Sequence, residues 1–153
     1  MIRKEKIAGL WPLLSAWDGT GSDIRKFEMQ GTRSFPAEMA ASDAISFHQK
    51  IGATAVHARL HHLKTYWTRQ LQSVQEIRFH TSTDRKFSAA MATFSLPGRT
   101  SAEIAEFLFQ ADGLHVGTIN WNGLDGVRIS PHVYTSLHEL DRLVAGVKEL
   151  MRS

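Results

Sequence analysis

The tripeptide Gly31-Thr32-Arg33, inside KFEMQGTRSFP (residues 26–36), brings together groups that suit an anion. Glycine lets a backbone N–H approach closely, threonine offers a hydroxyl, and arginine offers a planar cationic fork. A plain turn ahead of a helix would use the same residues, and at this point both readings stay open. A second arginine, Arg128, lies in the strand-like run GVRIS (126–130), where on its own it reads as one half of a cross-strand ion pair. His57 and His61 stand four apart on a helical pattern, the spacing of a two-histidine metal site, with His62 beside them. No carboxylate is placed as a third ligand. They therefore read as a solvated helix face shared with Arg59, Lys64 and Arg69, and no metal is expected. DGTGSD (18–23) contains a Gly-x-Gly but lacks the strand before it and the helix after it that a phosphate loop needs, so it reads as a turn.

The elements that must position these residues follow from periodicity. A helix is expected to start near Phe35-Pro36, with Pro36 preorganised for a first turn, Ser34 as a possible cap, and Ala41, Ala44, Ile45 and Ile51 facing inward. Gly52 interrupts it. Val56, Leu60, Leu63, Trp67 and Leu71 then recur at three- and four-residue steps, the stripe of a long amphipathic connector. QEIRFH (75–80) and FSAAMATFSL (87–96) read as strands, the second stopped by Pro97-Gly98. Thr100 with Glu103 and Ser136 with Glu139 form two capping boxes. The first opens a helix with Ile104, Phe107, Leu108 and Ala111 on one side; the second opens a helix lined by Leu140, Leu143, Val144, Val147, Leu150 and Met151. Between them LHVGTINW and GVRIS read as strands around NGLDG, which holds both an Asn-Gly and an Asp-Gly pair, so a hairpin is expected. His132 and Tyr134 follow Pro131 and are expected to pack or hydrogen-bond at the strand-to-helix turn.

The order from residue 75 onward is strand, strand, helix, strand, strand, helix. That predicts an α+β fold, a small antiparallel or mixed sheet covered by helices on one face and preceded by a long connector helix. The first fifty residues fit less well. Leu10, Trp11, Leu13, Leu14 and Trp17 are large and apolar but have too few strand partners to make a sheet, and they look like pieces of something larger, packing on the long helix or across an oligomer interface.

Length and composition narrow the classes. The 153 residues suffice for a real core, and 42% apolar content argues against disorder. A net charge of +3, with basic residues scattered among 15 acids, shows no stripe for nucleic acid, and the four tryptophans read as core or interface residues. The absence of cysteine closes disulfides, thiolate metal sites and cysteine nucleophiles to this chain. The basic-then-apolar start MIRKEKIAGLWPLL is short and broken by Pro12, which supports neither a signal peptide nor a membrane span. Cytoplasmic is the default location.

Three segments, taken in order, resemble the C-terminal part of class V, fold type I pyridoxal-phosphate enzymes, the superfamily of isopenicillin N epimerase, cysteine desulfurases and related aminotransferases. They are RKFEMQGTR (25–33), FHQKIGATAVHARLHHLKTYWTRQL (47–71) and GVRISPHVYTSLHELDRLVAGVKEL (126–150). Isopenicillin N epimerase-like proteins look closest. The resemblance implies residues 1–50 as the tail of a large cofactor-binding domain, 51–73 as a connector helix and 74–153 as a small α+β domain. It implies that Gly31 and Thr32 reach across a homodimer to the cofactor phosphate of the neighbouring subunit. It assigns Arg128 to the α-carboxylate of an amino-acid substrate, and places Arg33 beside that site in a less defined role. It also implies that the Schiff-base lysine, the ring-stacking aromatic and the aspartate paired with the pyridine nitrogen all belong to a preceding segment; Lys4 and Lys6 lie after that lysine's position. No catalytic residue is therefore expected here, and activity would need a chain supplying the missing half. Persulfide chemistry is excluded, because GTINWNGLDGVR contains no cysteine. Thr135 stands where the family usually has Asn, which affects the capping of that turn. The competing reading is a non-catalytic dimerisation or docking domain derived from such an enzyme.

Overall fold

A computed structural model describes residues 2–12, 21–28 and 31–152. It divides into two compact units, Met1–Phe47 and His48–Ser153. In the first unit, two 3-10 turns, Lys4–Gly9 and Ile24–Phe27, precede helix α1, Phe35–Ile51, whose C-terminal end runs into the second. In the second unit, helix α2 (Ala53–Gln72) leads into strands β1 (Arg78–Phe79) and β2 (Ala92–Ser95), helix α3 (Ser101–Asp112), strands β3 (Gly117–Trp121) and β4 (Leu124–Ile129), and helix α4 (Leu137–Leu150).

The four strands form one antiparallel sheet in the order β1-β2-β4-β3. Side chains alternate across a strand, so the pairing assigns faces directly. Ala92 opposes Ile129, and Phe94 opposes both Phe79 and Val127; these residues turn to one face and are buried or half-buried. On that face Trp67 of α2 meets Phe79 and Phe94 at ring-centroid distances of 5.9 and 6.0 Å, with 6.2 Å between the two phenylalanines. Tilted rings at these separations are attractive beyond their buried area. Leu63 and Leu71 of α2, Ile104 and Leu108 of α3, and Leu140, Leu143, Val144, Val147 and Leu150 of α4 complete the same core. The expected α+β fold, with its helices on one face, is what forms.

Local chemistry explains most boundaries. Both capping boxes are complete: Thr100 Oγ1 accepts from Glu103 N while Thr100 N donates to the Glu103 carboxylate, and Ser136 and Glu139 do the same. The β3–β4 hairpin turns at Asn122-Gly123, both with positive φ (50° and 78°), the mirror-image turn that matches strand twist. The Asp125-Gly126 pair, read in sequence as part of the turn, is instead inside β4. Asp125 Oδ1 accepts from Ser101 N at 2.9 Å and so serves the open end of α3.

Other expectations need correction. The strand expected over 75–80 shortens to Arg78–Phe79, and the strand expected from residue 87 begins at Ala92. Between them Ser and Asp side chains bind their own backbone: Asp84 N to Ser82 Oγ, Lys86 N to Asp84 Oδ1, and Ser88 Oγ to Asp84 O. Such local bonds compete with the ladder and leave Phe87 exposed. Helix α1 forms where expected, but none of its residues is buried, so Ala41, Ala44, Ile45 and Ile51 do not face a core. Leu60 is half-buried and Ala111 exposed. Leu10 and Trp11 are exposed, while Leu13, Leu14 and Trp17 lie outside the described residues, as does the first half, 18–20, of the expected turn at 18–23. Among the described residues no helix is long and apolar enough to cross a membrane.

Candidate functional site

Arg128 stands near the C-terminal end of β4, between Thr93 of β2 and Gly117 of β3. Its neighbours Val127 and Ile129 point into the core, so Arg128 points to the uncovered face of the sheet. A Cβ built on Gly117 would lie 3.4 Å from Arg128 Nη2 and 3.5 Å from Nε. The guanidinium thus rests against β3, over a position whose missing side chain leaves room for it. It forms no ion pair with a described residue, which removes the cross-strand alternative and leaves its planar fork for an incoming anion.

The rest of this face suits that use. Register and alternation place Thr93, Gly117 and Gly126 next to Arg128, with Arg78, Ser95, Ile119 and Trp121 farther out on the same face. The one acidic strand residue, Asp125, turns to the other face. His80 extends β1, donates its N–H to Thr93 O at 2.9 Å and sets Nε2 2.8 Å from Ser95 Oγ. Burial, and secondarily the charge of Arg78, push the imidazole below its ordinary range, so it favours the neutral form. The face therefore offers cations, hydroxyls, a neutral imidazole and an exposed indole, groups whose chemistry suits a carboxylate on a partly apolar body. Sequence reasoning missed the His80–Ser95 pair. The strand period could have aligned the two residues with Arg128 had the register of β1 been known.

The turn after Arg128 is held from α2. Arg59 Nη2 donates to Thr135 O at 3.0 Å and Nε to Val133 O at 3.5 Å, so Arg59 is not part of a solvated helix face. Thr135 Oγ1 accepts from His132 N and Thr135 N donates to His132 O, both at 2.9 Å, so threonine closes this turn. The rings of His132 and Tyr134 meet at 4.6 Å, but Tyr134 remains exposed. Lys64, also read as solvated, is buried, and its Nζ meets Ser88 Oγ at 2.5 Å. His57 and His61 stack at 6.4 Å, and no group of three metal-ligating side chains occurs among the described residues.

In the first unit, Gly31 takes φ +76°, and space is open where a Cβ would stand. Thr32 is exposed and makes no hydrogen bond to a described residue. Arg33 leans toward Glu38, Nε to Oε1 3.4 Å, while Ser34 O receives the N–H groups of Ala37 and Glu38 as α1 begins. Gly31 and Thr32 thus leave donors available ahead of a helix N-terminus, which fits a phosphate; Arg33 is partly engaged.

Residues 17–143 match the family model described as aminotransferase class-V. The isopenicillin N epimerase of Amycolatopsis lactamdurans is 27% identical over 135 residues, covering 88% of this chain and 34% of that protein. That of Streptomyces clavuligerus is 26% identical over 133 residues, covering 86% and 33%. The cysteine desulfurase of Thermococcus onnurineus superposes with a TM-score of 0.78 at 22% identity, over 99% of this chain and 42% of that one. The chain spans about a third of the length of the curated relatives it matches. A family match over most of the chain, together with a shared fold, shows that this chain belongs to the class-V aminotransferase family.

Proposed function

We propose that these residues form the C-terminal region of a pyridoxal-phosphate enzyme acting on an amino acid, in the manner of isopenicillin N epimerase, with the Schiff-base lysine supplied outside the 153 residues. The observation that carries the reading is Arg128: an arginine that forms no ion pair with a described residue, seated over Gly117 on the sheet face opposite the helices of its own unit, a face that holds no strand carboxylate. Its fork would take the substrate α-carboxylate through two parallel N–H donors, orienting the α-carbon. Gly31 and Thr32 would give a backbone N–H and a hydroxyl to the cofactor phosphate of a neighbouring subunit. Arg33 would add positive potential near that phosphate and the substrate. When bound, the cofactor supplies the electron sink for chemistry at the amino-acid α-carbon. Under this reading residues 1–50 belong to the large domain, 51–73 to the connector and 74–153 to the small domain.

The test is reconstitution with a polypeptide bearing the lysine segment, read by cofactor absorbance and by amino-acid binding. Arg128→Lys should weaken amino-acid binding roughly ten- to a hundredfold, the worth of a charge-assisted bidentate contact. Thr32→Ala should weaken cofactor retention and leave the fold intact. Unchanged amino-acid affinity in Arg128→Ala would sink the assignment.

A specific observation favours a second reading, a docking or dimerisation domain. Helix α1 buries none of its residues and exposes Phe35, Met39, Ile45 and Phe47. Under that reading a dimer measured by sedimentation survives Thr32→Ala and Arg128→Ala but dissociates when Met39 and Phe47 become Gln.

A further inference from the structure

On the helix-covered side of the sheet, away from Arg128, a cleft of about 420 Å³ opens between α2 and the segment from Thr81 to Ala92. We propose that it is a binding site for a small phosphate monoester, a site independent of the carboxylate face and of the reading given to it. Four basic groups line the cleft: His61, Lys64 and Arg69 from α2, and Arg85 from the loop. Among the described residues no carboxylate lines it. The nearest acid in sequence, Asp84, has its Oδ1 engaged by Lys86 N. None of these cations forms an ion pair with a described residue.

Lys64 makes this arrangement costly unless something else enters. It is 4% exposed, and among the described residues its ammonium has one partner, Ser88 Oγ, for three donors. A buried ammonium without a counter-charge is strongly unfavourable. His61 adds a second unsatisfied group: Nδ1 lies 3.3 Å from Thr65 Oγ1, whereas Nε2 is buried with no partner among the described residues. Burial pushes both Lys64 and His61 below their ordinary values, and for His61 the charges of Arg85 and Lys64 act in the same direction. A bound anion would reverse both penalties at once.

The chemistry of the walls selects the ligand class. The guanidiniums of Arg69 and Arg85 with the ammonium of Lys64 exceed what one carboxylate neutralises, and the hydroxyls of Thr81, Ser82 and Thr83 add donors suited to the several oxygens of a dianion. The cleft exceeds what a bare phosphate fills, and Phe79 and Ala92 supply an apolar wall for a short organic tail.

Calorimetric titration of the full chain with inorganic phosphate, glycerol 3-phosphate and sulfate, at constant ionic strength, tests this. Saturable one-to-one binding is expected, tighter for glycerol 3-phosphate than for phosphate or sulfate. Arg69→Ala with Arg85→Ala, both at exposed positions, should weaken it at least tenfold, and Lys64→Met should abolish it. Absence of saturable binding, affinity unchanged in the double arginine variant, or sulfate binding as tightly as glycerol 3-phosphate would each overturn the proposal.

Discussion

Gly126→Ala adds one methyl group to β4 and should be among the most damaging small substitutions in the second unit. Gly126 does not have positive φ, so an alanine backbone is not itself strained there. The difficulty is contact. A Cβ at this position would lie 2.6 Å from Phe94 O and 3.3 Å from Phe94 C. Even close C···O contacts stand at about 3.3 Å, so roughly 0.7 Å must be found. Neither strand can yield it cheaply: Phe94 pairs with Val127 on one side and Phe79 on the other, and its ring packs on Trp67. Overpacking against backbone of this kind costs about 2–3 kcal/mol. For a unit of this size that is a fall in Tm of roughly 8–12 °C. Gly146→Ala is the matched control. There the added Cβ meets Leu108 Cδ2 at 2.9 Å, the tip of a side chain that can turn away, and alanine gains about 1 kcal/mol of helix propensity. Its Tm should move by no more than about 3 °C. Thermal unfolding of both variants, followed by far-UV circular dichroism and tryptophan fluorescence, decides the matter. Equal Tm values for the two would refute the claim that rigid backbone contact, rather than the presence of a methyl group, sets the cost.

Three further outcomes follow from the charges and the turn. Hydrogen bonds from the backbone and side chain of Thr100 hold Glu103 below the usual carboxylate range, those of Ser136 do the same for Glu139, and Ser101 does so for Asp125. Their stabilisation is complete above the unfolded pKa values and is lost as pH falls through the lower folded values, so Tm should drop below about pH 4.5; Thr100→Ala and Ser136→Ala should flatten that drop. His61 and His80 are also held low, so stability should already decline as pH falls below about 6.5, and a Tm flat from neutrality to mild acid would contradict this. Arg59→Ala removes both bonds to the turn after Arg128, and should cost about 1–2 kcal/mol in chemical denaturation while loosening amino-acid binding in the reconstituted enzyme through a less fixed β4 end.

What the amino-acid sequence determined by itself is what local physics decides. Thr100 with Glu103 and Ser136 with Glu139 start helices wherever they stand, because each satisfies backbone donors three residues away. Asn122-Gly123 turns a hairpin because both residues tolerate positive φ, and the stripes on α2 and α4 show which side seeks a core. Gly31-Thr32 and Arg128 could be read as candidate sites only because the order of three motifs was recognisable, since neither composition nor spacing separates a ligand-binding arginine from an ion-paired one. Tertiary structure decided the rest. Periodicity marks an apolar side without saying whether anything covers it, so α1 looked like a core helix and is exposed. It marks Lys64 as polar without showing that Ser88, 24 residues later, returns in a loop to bury it. Arg59 reaches 76 residues along the chain to Thr135 O, and Asp125 bonds Ser101 rather than its own turn. Each of these partners depends on how strands pair and loops close, and those arrangements are set by the balance of burial over the whole unit rather than by neighbours in sequence.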